Sequence, residues 1–128
     1  MKTDEISNSQ EVIDSRDVIK RIEELEDLIS DNKKLPKKER EDLTEEEEEL
    51  SVLKDLEDQA NTPNWKDGEV LIRENYFVKY VEEMLVDIGD LPKDIPWYIV
   101  IDWDATAENV KADYMSVDFA GVEYLVRA

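Results

Sequence analysis

Cysteine and histidine are absent from this chain, glycine occurs three times and proline four. Without Cys or His there is no disulfide, no thiolate nucleophile, no Cys/His zinc site and no histidine-based triad. None of the glycine motifs GxxxxGK[ST], GxGxxG or GxSxG occurs. Aromatic residues are missing from residues 1–61, and all ten lie between Trp65 and Tyr124. No apolar run approaches the roughly 18 residues of a membrane span. The opening MKTDEISNSQEVIDS lacks the basic start and apolar stretch of a signal peptide, so the expected location is the cytoplasm.

What is present is charge of one sign. The 128 residues fit one domain, or one domain with an appended element, and carry 35 Asp and Glu against 16 Lys and Arg, a net of −19. Such a field repels DNA, RNA and anionic membranes and favours a basic partner. Carboxylates, hydroxyls and lysines are the groups left for chemistry. A 41% hydrophobic content suffices for a small core, and 40% charged residues imply an ionic surface.

Residues 1–61 hold a net charge of −11 and residues 62–128 a net of −8, but only the second stretch has bulky rings for a globular core. In the first, Val18, Ile22, Leu25 and Ile29 share one helical stripe with Leu28 beside it, which predicts a helix over about 15–31 capped by Asp14, with Asp17 in its first turn. A lysine-rich turn with Pro36 follows. Leu50, Val52, Leu53 and Leu56 predict a second helix over about 44–60, or from 37, with Thr44 and Glu47 at capping-box spacing. Together these make an antiparallel helical hairpin.

In the second stretch, Tyr76, Phe77, Tyr80, Val81, Met84, Leu85 and Ile88 predict a helix ending at Gly89, preceded by a short strand at Val70–Ile72. Pro92 and Pro96 bracket a loop. Asp102 reads as the N-cap of a helix over about 103–113, with Trp103, Ala107 and Val110 inward. Segments 116–119 and 122–127 flank Ala120-Gly121, a connection of hairpin length. The expected class is α+β: an acidic helical hairpin at 1–61, then a small α+β unit at 62–128 ending in a β-hairpin. Trp65, Trp97 and Trp103 are expected in the core.

The densest acid lies in residues 39–58, with eleven acids and two bases. On a helix of about 30 Å this is one net charge per ~3.3 Å, and a B-DNA strand carries one phosphate per ~3.4 Å of axis. A rod of this kind could enter a groove lined with Lys and Arg for DNA. The candidates are Glu45, Glu46, Glu47, Glu48, Glu49, Asp55, Glu57 and Asp58, with Glu23, Glu24, Glu26 and Asp27 on the other arm. A glutamate run is usually no more than the solvated face of a helix, and Glu45–Glu47 suit the first-turn dipole. The total charge argues for more. Solubility needs a net charge of only about 2 to 8 in a small domain.

Residues 65–128 carry an aromatic helix ending in Val86-Asp87-Ile88-Gly89, the helix start Ile101-Asp102-Trp103, the pair Asp113-Tyr114 and the closing SVDFAGVEYLVR. In this order they resemble the C-terminal part of the ArdA antirestriction family, a phage and mobile-element module. ArdA proteins are acidic, elongated dimers that mimic bent duplex DNA and inhibit type I restriction enzymes. The resemblance implies an ArdA-C-like module at 62–128 and phosphate-like roles for Asp87, Asp90, Asp94, Asp102, Asp104, Glu108, Asp113, Asp118 and Glu123. It allows a homodimer and places the protein in a host cytoplasm. The 15–60 hairpin lies outside the likeness.

Asp102-Trp103-Asp104 has the form of a DxD metal site, but a cap followed by a first-turn acid explains it. Lys33, Lys34, Lys37, Lys38 and Arg40 offset neighbouring acids and suit a helix C-terminus. The expectation is a non-enzymatic DNA mimic without metal or cofactor, whose partner is a basic DNA-binding protein or host-defence nuclease, of restriction or CRISPR type, and not nucleic acid or membrane. The alternatives are a helical adaptor binding through the leucine face at 50–56 and, more remotely, a carboxylate-based hydrolase.

Overall fold

A computed structural model describes residues 6–92 and 94–127; residues 1–5, where the signal-peptide reading begins, lie outside it. In chain order the elements are β1 (Val12–Asp14), α1 (Ser15–Lys34), α2 (Thr44–Ala60), the single turn α3 (Trp65–Gly68), β2 (Val70–Arg73), α4 (Phe77–Asp87), α5 (Trp103–Lys111), β3 (Tyr114–Phe119) and β4 (Val122–Arg127). Short 3-10 turns occupy Lys37–Glu39 and Glu74–Tyr76. The four strands form one antiparallel sheet in the order β1-β2-β4-β3.

Alternation along the strands divides the core in two. Leu71, Val117, Phe119, Tyr124 and Val126 point to one face and meet Val18, Ile22 and Leu25 of α1 with Leu53, Leu56 and Ala60 of α2. Ile72 and Leu125, which pair across β2 and β4, point to the other face and meet Phe77 and Val81 of α4 with Ala107 of α5. The result is three layers, with the hairpin α1/α2 on one side of the sheet and α4/α5 on the other. The class is α+β, with the helical hairpin at one end of the chain and a β-hairpin closing the other.

The compositional change near residue 61 is not a change of core. Ile13 of β1 pairs with Leu71 of β2, and Trp65 is buried among residues of α1 and α2. Ser15, fully buried, accepts a hydrogen bond at Oγ from Glu69 N–H (2.6 Å) and donates one to Trp65 C=O (2.7 Å).

Local chemistry sets the helix ends. Asp14 caps α1 by accepting from Arg16 N–H, and the same carboxylate takes two bonds from the Arg16 guanidinium. The helix runs three residues past the expected end, to Lys34. Arg40 makes this possible by folding back to donate to the carbonyls of Lys33 and Leu35 (2.9 Å each). The capping box at Thr44 does not form. Thr44 is already the first helical residue, and both its N–H and its hydroxyl donate to Asp42, so the aspartate two residues upstream makes the turn. Helix α2 starts at 44 and not at 37.

Gly89 ends α4 with φ +83, and Asp102 caps α5 by accepting from Ala105 N–H. Ile88 lies just past the helix end and is exposed, so the apolar face stops one turn early. Ala120 and Gly121 both have positive φ, +51 and +86, the combination a two-residue hairpin turn of type I′ requires. Trp65 is buried and Trp103 half-buried, but Trp97 is 91% exposed and contradicts its expected place in the core. It sits in the α4–α5 loop, beyond the reach of either helix face.

Candidate carboxylate surface

Helix α2 buries Leu53, Leu56 and Ala60 against the sheet, and at 100° per residue this leaves Glu47, Glu48, Asp55 and Asp58 on the opposite side. All four are exposed, and none makes an ion pair with a described residue. The helical rise spreads them over about 16 Å. Along the axis the steps are about 1.5 Å from Glu47 to Glu48, about 10.5 Å to Asp55 and about 4.5 Å to Asp58, so the series is open in the middle, around Ser51.

The other expected residues divide by environment. Glu49 is half-buried and locked by Arg21 of α1, Nε to Oε2 at 2.6 Å and Nη2 to Oε1 at 2.9 Å. Glu26 of α1 pairs with Lys54 of α2 at 3.2 Å. Glu57 is half-buried and accepts the indole N–H of Trp65 at 2.9 Å. These three carboxylates fasten the hairpin to itself and to the core. Glu45, Glu23 and Asp27 are exposed, and Glu46 and Glu24 are half-buried.

Two grooves flank α2. One, of about 410 Å³, has an apolar floor that includes Val52, Leu53 and Phe119, with Glu45, Glu48 and Glu49 among its walls. The other, of about 820 Å³, is lined by Ile19, Pro63 and Trp65 together with Glu23, Glu57 and Asp58 and one base, Lys66. Both offer what an incoming lysine or arginine requires: apolar surface for its methylenes and carboxylates for its head group. Composition alone could not locate them, because each groove joins segments distant in sequence.

Asp87, Asp90, Asp94, Asp102, Asp104, Glu108 and Asp113 are exposed too, but they belong to the α4/α5 layer on the far side of the sheet from α2. Asp118 and Glu123 are exposed on the closing hairpin. The Asp118 carboxylate accepts from Gly121 N–H in the turn at 3.3 Å, and its backbone pairs with the Gln59 side-chain amide in both directions, 2.8 and 2.9 Å. That pairing covers part of an edge strand. The acids therefore do not form one sheet of charge: one set lines α2 and its grooves, and another rims the α4/α5 layer.

Two carboxyls titrate below the usual range. Asp14 is held down chiefly by the side-chain hydrogen bonds of Arg16, and Asp42 by the Thr44 hydroxyl and then its N–H. Both are caps. Among the described residues no group of three or more carboxylates is disposed to hold a metal ion, and no helix is long and apolar enough to cross a membrane. No family model matches the chain, and neither does any curated protein or solved structure.

Proposed function

We propose that the chain is a non-enzymatic inhibitor that presents the carboxylates of α2 to a Lys- and Arg-lined, DNA-accepting surface of a partner protein. The observation that carries this reading is the outer face of α2, where Glu47, Glu48, Asp55 and Asp58 stand exposed without a described cation, above grooves walled by further glutamates. A net charge of −19 opposes folding, so a use for it is expected. The fitting partners are nucleases of host defence, of restriction or CRISPR type. The resemblance of residues 65–128 to the ArdA C-terminal part points the same way.

The adaptor alternative has less apolar surface to draw on, because Leu53 and Leu56 are buried in the core, while Leu50 and Val52 are half-buried against it.

The test is a DNA-cleavage assay with a type I restriction enzyme and a CRISPR effector, titrated with this protein. Inhibition should be relieved by added duplex DNA and weaken steeply as salt rises. The combined reversal Glu47→Lys, Glu48→Lys, Asp55→Lys and Asp58→Lys should abolish it, whereas single neutralisations do little. Full potency of the fourfold variant rejects the proposal.

A further inference from the structure

In a chain with 40% charged residues, the seven from Ile95 to Ile101 carry no charge at all. They form about half of the loop between α4 and α5, and between the half-buried Ile95 and Ile101 the structure leaves them in water: Trp97 is 91% exposed, Val100 90%, Tyr98 69% and Ile99 50%. Exposed rings of this size present on the order of 300 Å² for the Trp97–Tyr98 pair alone, already as large as the largest apolar patch of many monomers. The pair is not a loose tail. Ile99 N–H bonds to Pro96 C=O at 2.9 Å to close a turn, and the two rings meet edge to face at 5.8 Å. Such ordering before contact lowers the entropy lost on binding.

The surroundings decide what could cover this ledge. Between residues 84 and 110 the sequence has six acids, Asp87, Asp90, Asp94, Asp102, Asp104 and Glu108, and a single base, Lys93. All six acids are exposed. Asp94 and Asp102 bound the ledge directly in the chain, so an anionic bilayer or a nucleic acid stacking on the rings would meet negative charge at both of its ends. A second copy would set like charge against like charge, and the Trp97–Tyr98 pair doubled gives about 600 Å², half of the roughly 1,200 Å² of a specific interface. We propose that the Ile95–Ile101 ledge is a docking anchor for a different protein, one that offers an apolar pocket bordered by lysine or arginine. Trp97 is the side chain that enters the pocket, and the aspartates on either side meet the basic border. The ledge joins helices on the opposite side of the sheet from α2, so this second surface does not rest on the carboxylate reading.

Two synthetic helical peptides of equal positive charge test it, one built from Leu and Lys and the other from Ser and Lys. At 0.15 M salt the Leu/Lys peptide should bind about tenfold or more tighter, the size of loss expected when an aromatic anchor is removed. Binding should also shift the tryptophan emission to the blue. In the Trp97→Ala/Tyr98→Ala variant the preference should fall to within about twofold and the shift should vanish, with an unchanged circular dichroism spectrum. The Val100→Asp variant should lose the same preference. Equal binding of the two peptides by the natural protein overturns the proposal, as does full preference in the variants. A dimer in sedimentation with Trp97 already shielded from acrylamide assigns the ledge to a second copy and overturns it too. If the variants fail to fold, the ledge is structural and the proposal falls. The fourfold α2 reversal should leave the preference between peptides intact, which separates this result from failure of the inhibitor reading.

Discussion

Arg21 grips Glu49 with both arms of its guanidinium, at 2.6 and 2.9 Å, across the seam between α1 and α2. The pair is partly sheltered, with side chains 23% and 30% exposed, so it is screened less than a surface ion pair. Glu49 thus differs from its neighbours in the glutamate run: its charge is spent inside the molecule. A double-mutant cycle of Arg21→Ala and Glu49→Ala, followed by urea unfolding, should return a coupling of about 1–2 kcal/mol. Glu49→Gln should lower stability without weakening inhibition more than Glu48→Gln does. The reverse order would mean that Glu49 faces the partner.

Ser15 supplies the other cross-link. Its hydroxyl stands between Trp65 C=O and Glu69 N–H in a fully buried position, while its own N–H bonds to Glu69 C=O at 2.8 Å. Alanine there would strand one acceptor and one donor away from water. Ser15→Ala should cost about 1–3 kcal/mol, read as a lower urea midpoint with an unchanged slope.

Much of the fold follows from signals that a chain of this composition carries locally. The apolar stripes of α1, α2 and α4, the Asp14 and Asp102 caps and the Ala120-Gly121 turn each depend on a few adjacent residues, and each is where periodicity and capping chemistry place it. The signals that fail are those needing distant partners. β1 is three residues long and becomes a strand only because β2 lies beside it, so Val12-Ile13 carries no periodicity to read. Thr44 and Glu47 have the right spacing for a capping box, but Asp42 takes the turn first. Trp97 belongs to a type of residue usually found in cores, and only the three-dimensional course of the α4–α5 loop reveals it as surface. The candidate site was legible as a run of acids, whereas setting apart Glu49, Glu26 and Glu57, which fasten the hairpin, from the exposed outer-face acids, of which Asp55 accepts from the Gln59 amide, needed the position of Arg21, Lys54 and Trp65.

Ala120 has φ +51, in the left-handed region that favours glycine. A Cβ in this region crowds the neighbouring carbonyl, and both central positions of a type I′ turn favour Asn or Gly. Ala120→Asn, giving Asn-Gly in the turn, should raise stability by about 0.5–1 kcal/mol. Thermal unfolding measures it. A loss of stability would mean that the turn has another geometry.

The response to salt and acid tests whether the surplus charge acts against the fold. At neutral pH a net of −19 is compressed into one small molecule, and the unfolded chain lets those charges separate. Raising salt from 0.01 to 0.15 M shortens the screening length from about 30 to about 8 Å, so the melting temperature should climb. Lowering the pH from 7 towards 5 protonates the first carboxylates and should act in the same direction. Asp14 opposes this further down. Its folded pKa is depressed by the Arg16 guanidinium, so its contribution is complete above the unfolded value near 4 and is lost as the pH falls through the lower folded value. Stability should therefore rise on mild acidification, pass a maximum and fall below about pH 4, with the Asp14→Asn variant showing a smaller fall on the acid side. A stability indifferent to salt and declining steadily from pH 7 would mean that the carboxylates are already neutralised within the fold, leaving no unbalanced charge for a partner to recognise.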